Sequence, residues 1–225
     1  MGDTLVNTHH ERREMQYAEI LEKFGYKINR KEFPLLYEKT RKDFMKKYYS
    51  TVYLHQKRFF FEMLLERLGQ SADKKTLVRL EGENNKVFLE ELELYPGVIG
   101  VLKFCKNKNL VIGAISNNTT EGMKRMMKKF HLSKYFDIIL ISEEMRYEKS
   151  SLVPFKLFIA KTGLKPKECL MVGNRQDEDM LAKKVGMKTV LVSKVNLPVV
   201  GDSESADYEI GNIKDIIPII RKLTA

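Results

Sequence analysis

Cysteine is scarce in this sequence of 225 residues. Cys105 and Cys169 are the only two, and no Cys-x-x-Cys spacing suggests a redox or metal motif. Each lies in an apolar segment, where a buried, reduced thiol is the expected state. Long hydrophobic runs are also missing: nothing approaches the ~20 consecutive apolar residues that a membrane span needs. No basic-then-apolar start resembles a signal peptide, so the reading predicts a cytoplasmic protein with no membrane association. Low-complexity segments are absent as well. The length suits one large domain, or a core domain with a smaller insert, and either can bury a real core.

What is abundant is positive charge, with 40 Lys and Arg against 30 Asp and Glu. A net +10 invites an anionic partner. The densest basic run, KTRKDFMKKYY at 39–49, lies beside tyrosines, a pairing seen in nucleic-acid binders. Glu38 and Asp43 interrupt it, however, and no zinc-finger or RNA-binding signature accompanies it. A solvated helix face accounts for the run, and nucleic acid is not the expected partner.

The chain has two halves with different patterning. Residues 12 to about 92 read as helix after helix. Tyr17, Ile20, Leu21 and Phe24 form an amphipathic stripe that Gly25 ends. Asn29 and Glu32 look like a capping pair for the next helix. Phe59, Met63, Leu64 and Leu68 repeat the helical spacing up to Gly69. A fourth helix runs through Leu77, Leu80 and Val87 toward Leu92, with Gly82 as a weak point.

After Tyr95-Pro96-Gly97 the pattern changes to short, nearly continuous apolar runs: LVIGAIS (110–116), DIILIS (137–142), CLMVGN (169–174) and KTVLV (188–192). Such runs fit strands buried on both faces of a parallel sheet. Helical segments at 98–107, 120–130, 152–163 and 177–185 alternate with them. This predicts an α/β fold with a doubly wound, Rossmann-like parallel sheet. Ligands bind such sheets at the carboxyl ends of the strands.

Three strand ends carry polar groups. Ser116 is followed by Asn117, Asn118, Thr119 and Thr120 at a helix start, an arrangement that caps helices and also cradles anions. Lys149 falls in the loop after the second run. Asn174, Asp177, Glu178 and Asp179 follow the third, where oxygen ligands suit Mg²⁺ and acidic residues also complement a helix dipole.

A hydroxyl, then a lysine, then an acidic loop, each after a successive buried strand, resembles the haloacid dehalogenase-like hydrolase superfamily. YPGVIGVLKFCKNKNLVIGAISNN is similar to the approach to that family's second motif, which makes Ser116 the phosphate-contacting hydroxyl. SEEMRYEKSSLVPF resembles the third, with Lys149 as its lysine and Ser150 in place of the usual proline. VGNRQDEDMLAKKVGMKTVLV resembles the fourth, with Asn174 and Asp179 at its two acidic positions. The resemblance implies a core of residues 1–11 and 93–225, with an all-helical cap at 12–92 that selects the substrate. It further implies a Mg²⁺-dependent phosphatase acting on a small phosphorylated substrate through an aspartyl-phosphate. Ser116, Asn117, Asn118 and Lys149 would bind phosphate, Ser116 and Lys149 would assist catalysis, and Asp179, Asn174 and the Gly2 carbonyl would hold a weak metal.

MGDTLVNT resembles the end of the family's first motif, Asp-x-Asp-x-Thr-Leu-Val. In that register Gly2 stands where a second aspartate acts as general acid, and the nucleophile falls one place before Met1. The first core strand is therefore expected to be missing from this chain. Asp3 is the weak alternative nucleophile, with only two residues before it to hold it in place. His9 and His10 follow on the segment entering the cap, where linker histidines are commonly exposed. Arg175 offsets lost charge or is simply solvated. The competing function is a catalytically inactive relative that binds a phosphate-containing ligand or a protein partner. Carbon–halogen hydrolysis by the family's metal-free branch ranks third, since the acidic loop suits a metal better.

Overall fold

The computed structural model describes residues 2–8, 13–193, 199 and 202–224. His9 and His10 lie outside the described residues. The chain forms two compact units, one made of Thr8–Leu92 and the other of Met1–Asn7 with Glu93–Ala225.

The described secondary structure of the first unit is helical, with α1 (Arg13–Lys23), α2 (Phe33–Tyr48), α3 (Lys57–Arg67), α4 (Lys74–Glu91) and a 3₁₀ turn at Val52–His55. The stripe of α1 buries Tyr17, Ile20 and Leu21. Around Tyr17 gather the rings of Tyr37, Phe60 and Phe61, with centroids 5.0–5.3 Å away. Leu21, Phe61, Leu64 and Leu80 are fully enclosed there. Gly25 takes φ 87°, a left-handed turn that glycine enters without a Cβ penalty, and so ends α1 as expected. The side chain of Asp73 caps α4 by accepting the Thr76 N–H at 2.7 Å. Helix α4 then runs unbroken through Gly82.

One capping expectation is corrected. Glu32 is the N-cap residue of α2 but makes no side-chain cap bond, and Asn29 Oδ1 accepts the Lys31 N–H instead. The helix starts at Phe33 because Pro34 occupies its first turn, where a ring-fixed φ fits and no N–H is needed. The basic run 39–49 falls mostly on α2, and Lys39, Arg41, Lys42, Lys46 and Lys47 are exposed.

In the second unit the short strands β1 (Val6–Asn7) and β2 (Glu93–Leu94) pair antiparallel, at the points where the chain passes from one unit to the other. Then follow α5 (Val98–Asn107), β3 (Gly113–Ser116), α6 (Thr120–Lys129), β4 (Ile138–Ile141), α7 (Ser142–Met145), α8 (Val153–Thr162), β5 (Leu170–Gly173), β6 (Lys188–Val192), β7 (Tyr208–Ile210) and α9 (Ile216–Leu223). All four apolar runs are strands, and every pairing among them is parallel. Gly113 on β3 lies against the Phe158 ring of α8, which would have to shift to admit a Cβ there.

The predicted helix 177–185 is a 3₁₀ segment, Asp179–Val185. The Asp179 carboxylate folds back onto the preceding loop, and its backbone N–H donates to Arg175 O at 2.9 Å, which tightens the entry.

The strands form two parallel sheets among the described residues, β3–β4 and β5–β6–β7. Each four-residue edge, β3 and β5, is hydrogen-bonded on one side. A cavity of about 500 Å³ lies between them, lined by residues 113–115 of β3 and 170–172 of β5.

Candidate functional site

The carboxyl ends of β3 and β5 converge through one residue, Asn117. Its Oδ1 accepts the Lys149 backbone N–H at 2.9 Å, and its Nδ2 donates to Glu178 Oε2 at 2.9 Å. The loop after β3, the loop after β4 and the acidic loop after β5 are therefore locked together. Ser116, buried at the end of β3, directly precedes this junction.

Lys149 is buried, and its ammonium donates to Asp179 Oδ1. The other Asp179 oxygen accepts the N–H groups of Asn174 at 2.9 Å and Arg175 at 3.1 Å. That close approach needs Gly173, because a Cβ there would overlap the Asp179 carboxyl group. Burial favours the neutral form of both partners, but their mutual attraction overrides it. Asp179 stays below the usual carboxylate range, and Lys149 rises above the usual lysine range.

Glu178 behaves differently. Burial raises its pKa, and the pull of Lys149 and Arg175 does not fully offset this. Arg175 pairs with Asp177 at 2.5 Å and with Glu178 at 3.2 Å, so it is an internal counter-ion rather than a solvated side chain. Two cations, Lys149 and Arg175, thus face four carboxylates: Glu148, Asp177, Glu178 and Asp179.

The remaining predicted residues are less convergent. The Asn118 N–H, expected to meet an anion, donates to Ser142 Oγ at 3.1 Å, and the Thr120 N–H donates to Glu143 Oε2 at 2.8 Å. Both stitch the β3 loop to α7. Asn174 does reach the site, where its Oδ1 accepts the Thr4 hydroxyl at 2.9 Å. Gly2 is exposed and forms a bridge with Val6. Asp3 takes φ 55° in a turn, with its N–H on Val6 O at 2.6 Å, and its charge helps raise the pKa of Tyr95. From sequence, Thr4 carries no assigned role, and Glu178 is named only as one carboxylate of the acidic loop. Thr4 was visible inside the quoted TLV, but its reach to Asn174 depends on that turn. Glu178 was visible in RQDED, but which carboxylate of that run faces Asn117 depends on the 3₁₀ geometry.

The donor set does not fit a resident Mg²⁺ in this arrangement. Asp179 has both oxygens engaged by Lys149 and backbone N–H groups, and Asn174 is neutral and tied to Thr4. Among the described residues, no group of three or more His, Cys, Asp or Glu is placed to hold a metal. No helix among them is long and apolar enough to cross a membrane.

A family model described as haloacid dehalogenase-like hydrolase matches residues 1–192. A glyceraldehyde 3-phosphate phosphatase of Methanocaldococcus jannaschii is 33% identical over 141 residues, covering 62% of this chain and 61% of that protein. The chain thus matches less than two thirds of that relative's length. Among solved structures, an HAD phosphatase from Thermococcus onnurineus superposes with TM-score 0.71 at 20% identity, over 98% of this chain and 94% of that one. A magnesium-bound HAD-hydrolase of Bacillus subtilis gives TM-score 0.73 at 14% identity, over 98% and 96%. These two likenesses establish the α/β fold.

Proposed function

Because the chain belongs to the haloacid dehalogenase-like hydrolases, we propose that its α/β unit is the phosphomonoester-handling core of a phosphatase acting on a small phosphorylated compound. The observation that carries this reading is the buried Lys149 ammonium, held by Asp179 where three strand-end loops meet. An ammonium has three N–H donors, and Asp179 accepts one of them. Lys149 also lines the cavity, so a phosphoryl oxygen approaching from that side meets the remaining donors. Ser116 and the N–H of Asn117 complete the phosphate contacts. The relative named as a glyceraldehyde 3-phosphate phosphatase, after a small phosphate ester, supports the substrate class. The helical unit Thr8–Leu92 is the proposed cap that selects the substrate.

The family route through an aspartyl-phosphate needs a carboxylate fixed beside Lys149. Asp177, Glu178 and Asp179 are each committed to Arg175, Asn117 or Lys149. Asp3 is held in a turn instead. Among the described residues these commitments support, as a second reading, a phosphate binder that does not turn over. Magnesium dependence is expected to be weak in both readings, for the reasons of donor chemistry given above.

Phosphate release from p-nitrophenyl phosphate, glyceraldehyde 3-phosphate and 2-phosphoglycolate, with and without Mg²⁺, decides between them. The phosphatase reading expects release that Lys149→Met lowers by about a hundredfold. Binding of these esters without any release above the blank establishes the second reading. Neither release nor binding overturns both.

A further inference from the structure

Glu38 and Asp43 interrupt the basic run in sequence, but in the folded chain arginines take up both. Arg41 of the same helix pairs with Glu38 at 3.0 Å, and Arg67 of α3 pairs with Asp43. Lys39 and Lys46 stand near enough to Asp43 to lower its pKa further, behind the larger effect of Arg67. Among the described residues, Lys39, Lys42 and Lys46 are nonetheless left without an ion pair. All three are exposed. At about 100° per residue they fall within about 60° of one another on α2, so they form one straight row. Lys42 lies about 4.5 Å and Lys46 about 10.5 Å beyond Lys39 along the helix axis. Leu35, 79% exposed, opens the same row one turn earlier. At the other end of α2 lies Tyr53, 46% exposed, its ring centroid 6.3 Å from that of Tyr48. Lys47 is turned onto the Tyr48 ring, 5.1 Å from its centroid, and stands outside the row.

We propose that this row is a docking strip for one nucleic-acid strand, with phosphates on Lys39, Lys42 and Lys46 and an unpaired base against Tyr53. The phosphates of one strand follow every ~3.4 Å along a stacked helix and farther apart once it is drawn out, which is the scale of the lysine steps. An exposed tyrosine ring offers a stacking face that any base can use. A membrane surface fits the same cations worse. Glu38 and Asp43 lie on opposite flanks, about 70° round the helix from the centre of the row. A flat layer of anionic headgroups would meet those carboxylates, whereas a narrow strand meets the lysines alone. An interfacial helix also needs a broad apolar face, and Leu35 and Met45 are the exposed large apolar residues of α2. The strip lies wholly within the helical unit, so its binding is independent of phosphate-ester chemistry in the other unit.

The test is fluorescence anisotropy of the full chain with a fluorescein-labelled strand of twelve uridines. Three phosphate contacts on a single strand give a salt slope of about −2, so Kd should rise about twentyfold between 50 and 200 mM KCl. Lys39→Gln/Lys42→Gln/Lys46→Gln should weaken binding at the lower salt by at least about tenfold and flatten that slope. Lys124→Gln/Lys128→Gln/Lys134→Gln removes equal charge from exposed positions of the other unit and should change Kd by less than about threefold. Tyr53→Ala should weaken binding about tenfold, and Tyr53→Phe should keep the wild-type value. Each variant is compared only with unchanged circular dichroism. The proposal is overturned by no binding at 50 mM KCl, by equal losses in the two lysine variants, or by wild-type affinity in Tyr53→Ala. A duplex of the same length bound as tightly as the strand would overturn it too. So would phosphatidylserine vesicles bound through Lys39, Lys42 and Lys46 in place of the strand, since a membrane would then be the partner.

Discussion

Replacing Lys149 with methionine should cost the folded core about 3 kcal/mol. The side chains of Lys149 and Asp179 are 8% and 1% exposed, so their attraction is scarcely screened. Removing one partner of such a pair strands a buried charge, typically at ~3–5 kcal/mol. Asp179 keeps two backbone N–H bonds from Asn174 and Arg175, which places the cost at the lower end of that range. Urea unfolding of wild type and Lys149→Met at neutral pH measures it directly. The double variant Lys149→Met/Asp179→Leu should recover much of the loss, because no unpaired charge then remains inside. Without Lys149, burial is opposed at Asp179 mainly by its backbone N–H bonds, so the carboxyl titrates higher than in wild type and the gap between the two proteins should narrow toward acid. A loss under about 1 kcal/mol for the single variant would refute the reasoning, as would a double variant less stable than Lys149→Met.

The same pair sets the pH limits of stability. Asp179 titrates below its ordinary value of 3.8, so its contribution is present above that pH and is lost as pH falls through the lower folded value. Lys149 titrates above 10.5, so its contribution is full below that pH and lost as pH rises through the higher folded value. Melting temperature against pH should therefore fall away at both extremes in wild type, and Lys149→Met should flatten both limbs. Gly173→Ala should push Asp179 off its backbone donors and destabilise the core by more than about 1 kcal/mol, read by urea unfolding. Asn117→Ala removes bonds to both Lys149 N–H and Glu178 and should cost about 1–3 kcal/mol, with weaker phosphate binding by titration calorimetry. Mg²⁺ titration should show no micromolar site.

The strands were legible because they are buried on both faces: LVIGAIS, DIILIS, CLMVGN and KTVLV are unbroken apolar runs, and each became a strand. The helices of residues 13–91 were legible from their stripes. Tyr208–Ile210 was not, because three residues around Glu209 carry too little pattern to read. Asn29 and Glu32 misled because Pro34 fixes the helix start more strongly than a side-chain cap. At the site, residue types and order single out Ser116, Lys149 and Asp179, and the structure pairs the last two and puts Ser116 at the end of β3. They did not reveal that Asp179 is neutralised by Lys149, that Asn117 ties three loops together, or that Arg175 is an internal counter-ion. Those facts depend on side-chain directions after tight turns, which one sequence does not encode in any short pattern.

The central claim, that the strand-end cluster around Lys149 is a phosphomonoester site, is tested most directly by calorimetric titration with inorganic phosphate. Wild type should bind, and Lys149→Gln should bind at least about tenfold more weakly, since an amide keeps the shape but loses the charge-assisted donors. Equal affinity in the two proteins, with both confirmed folded, would contradict the assignment.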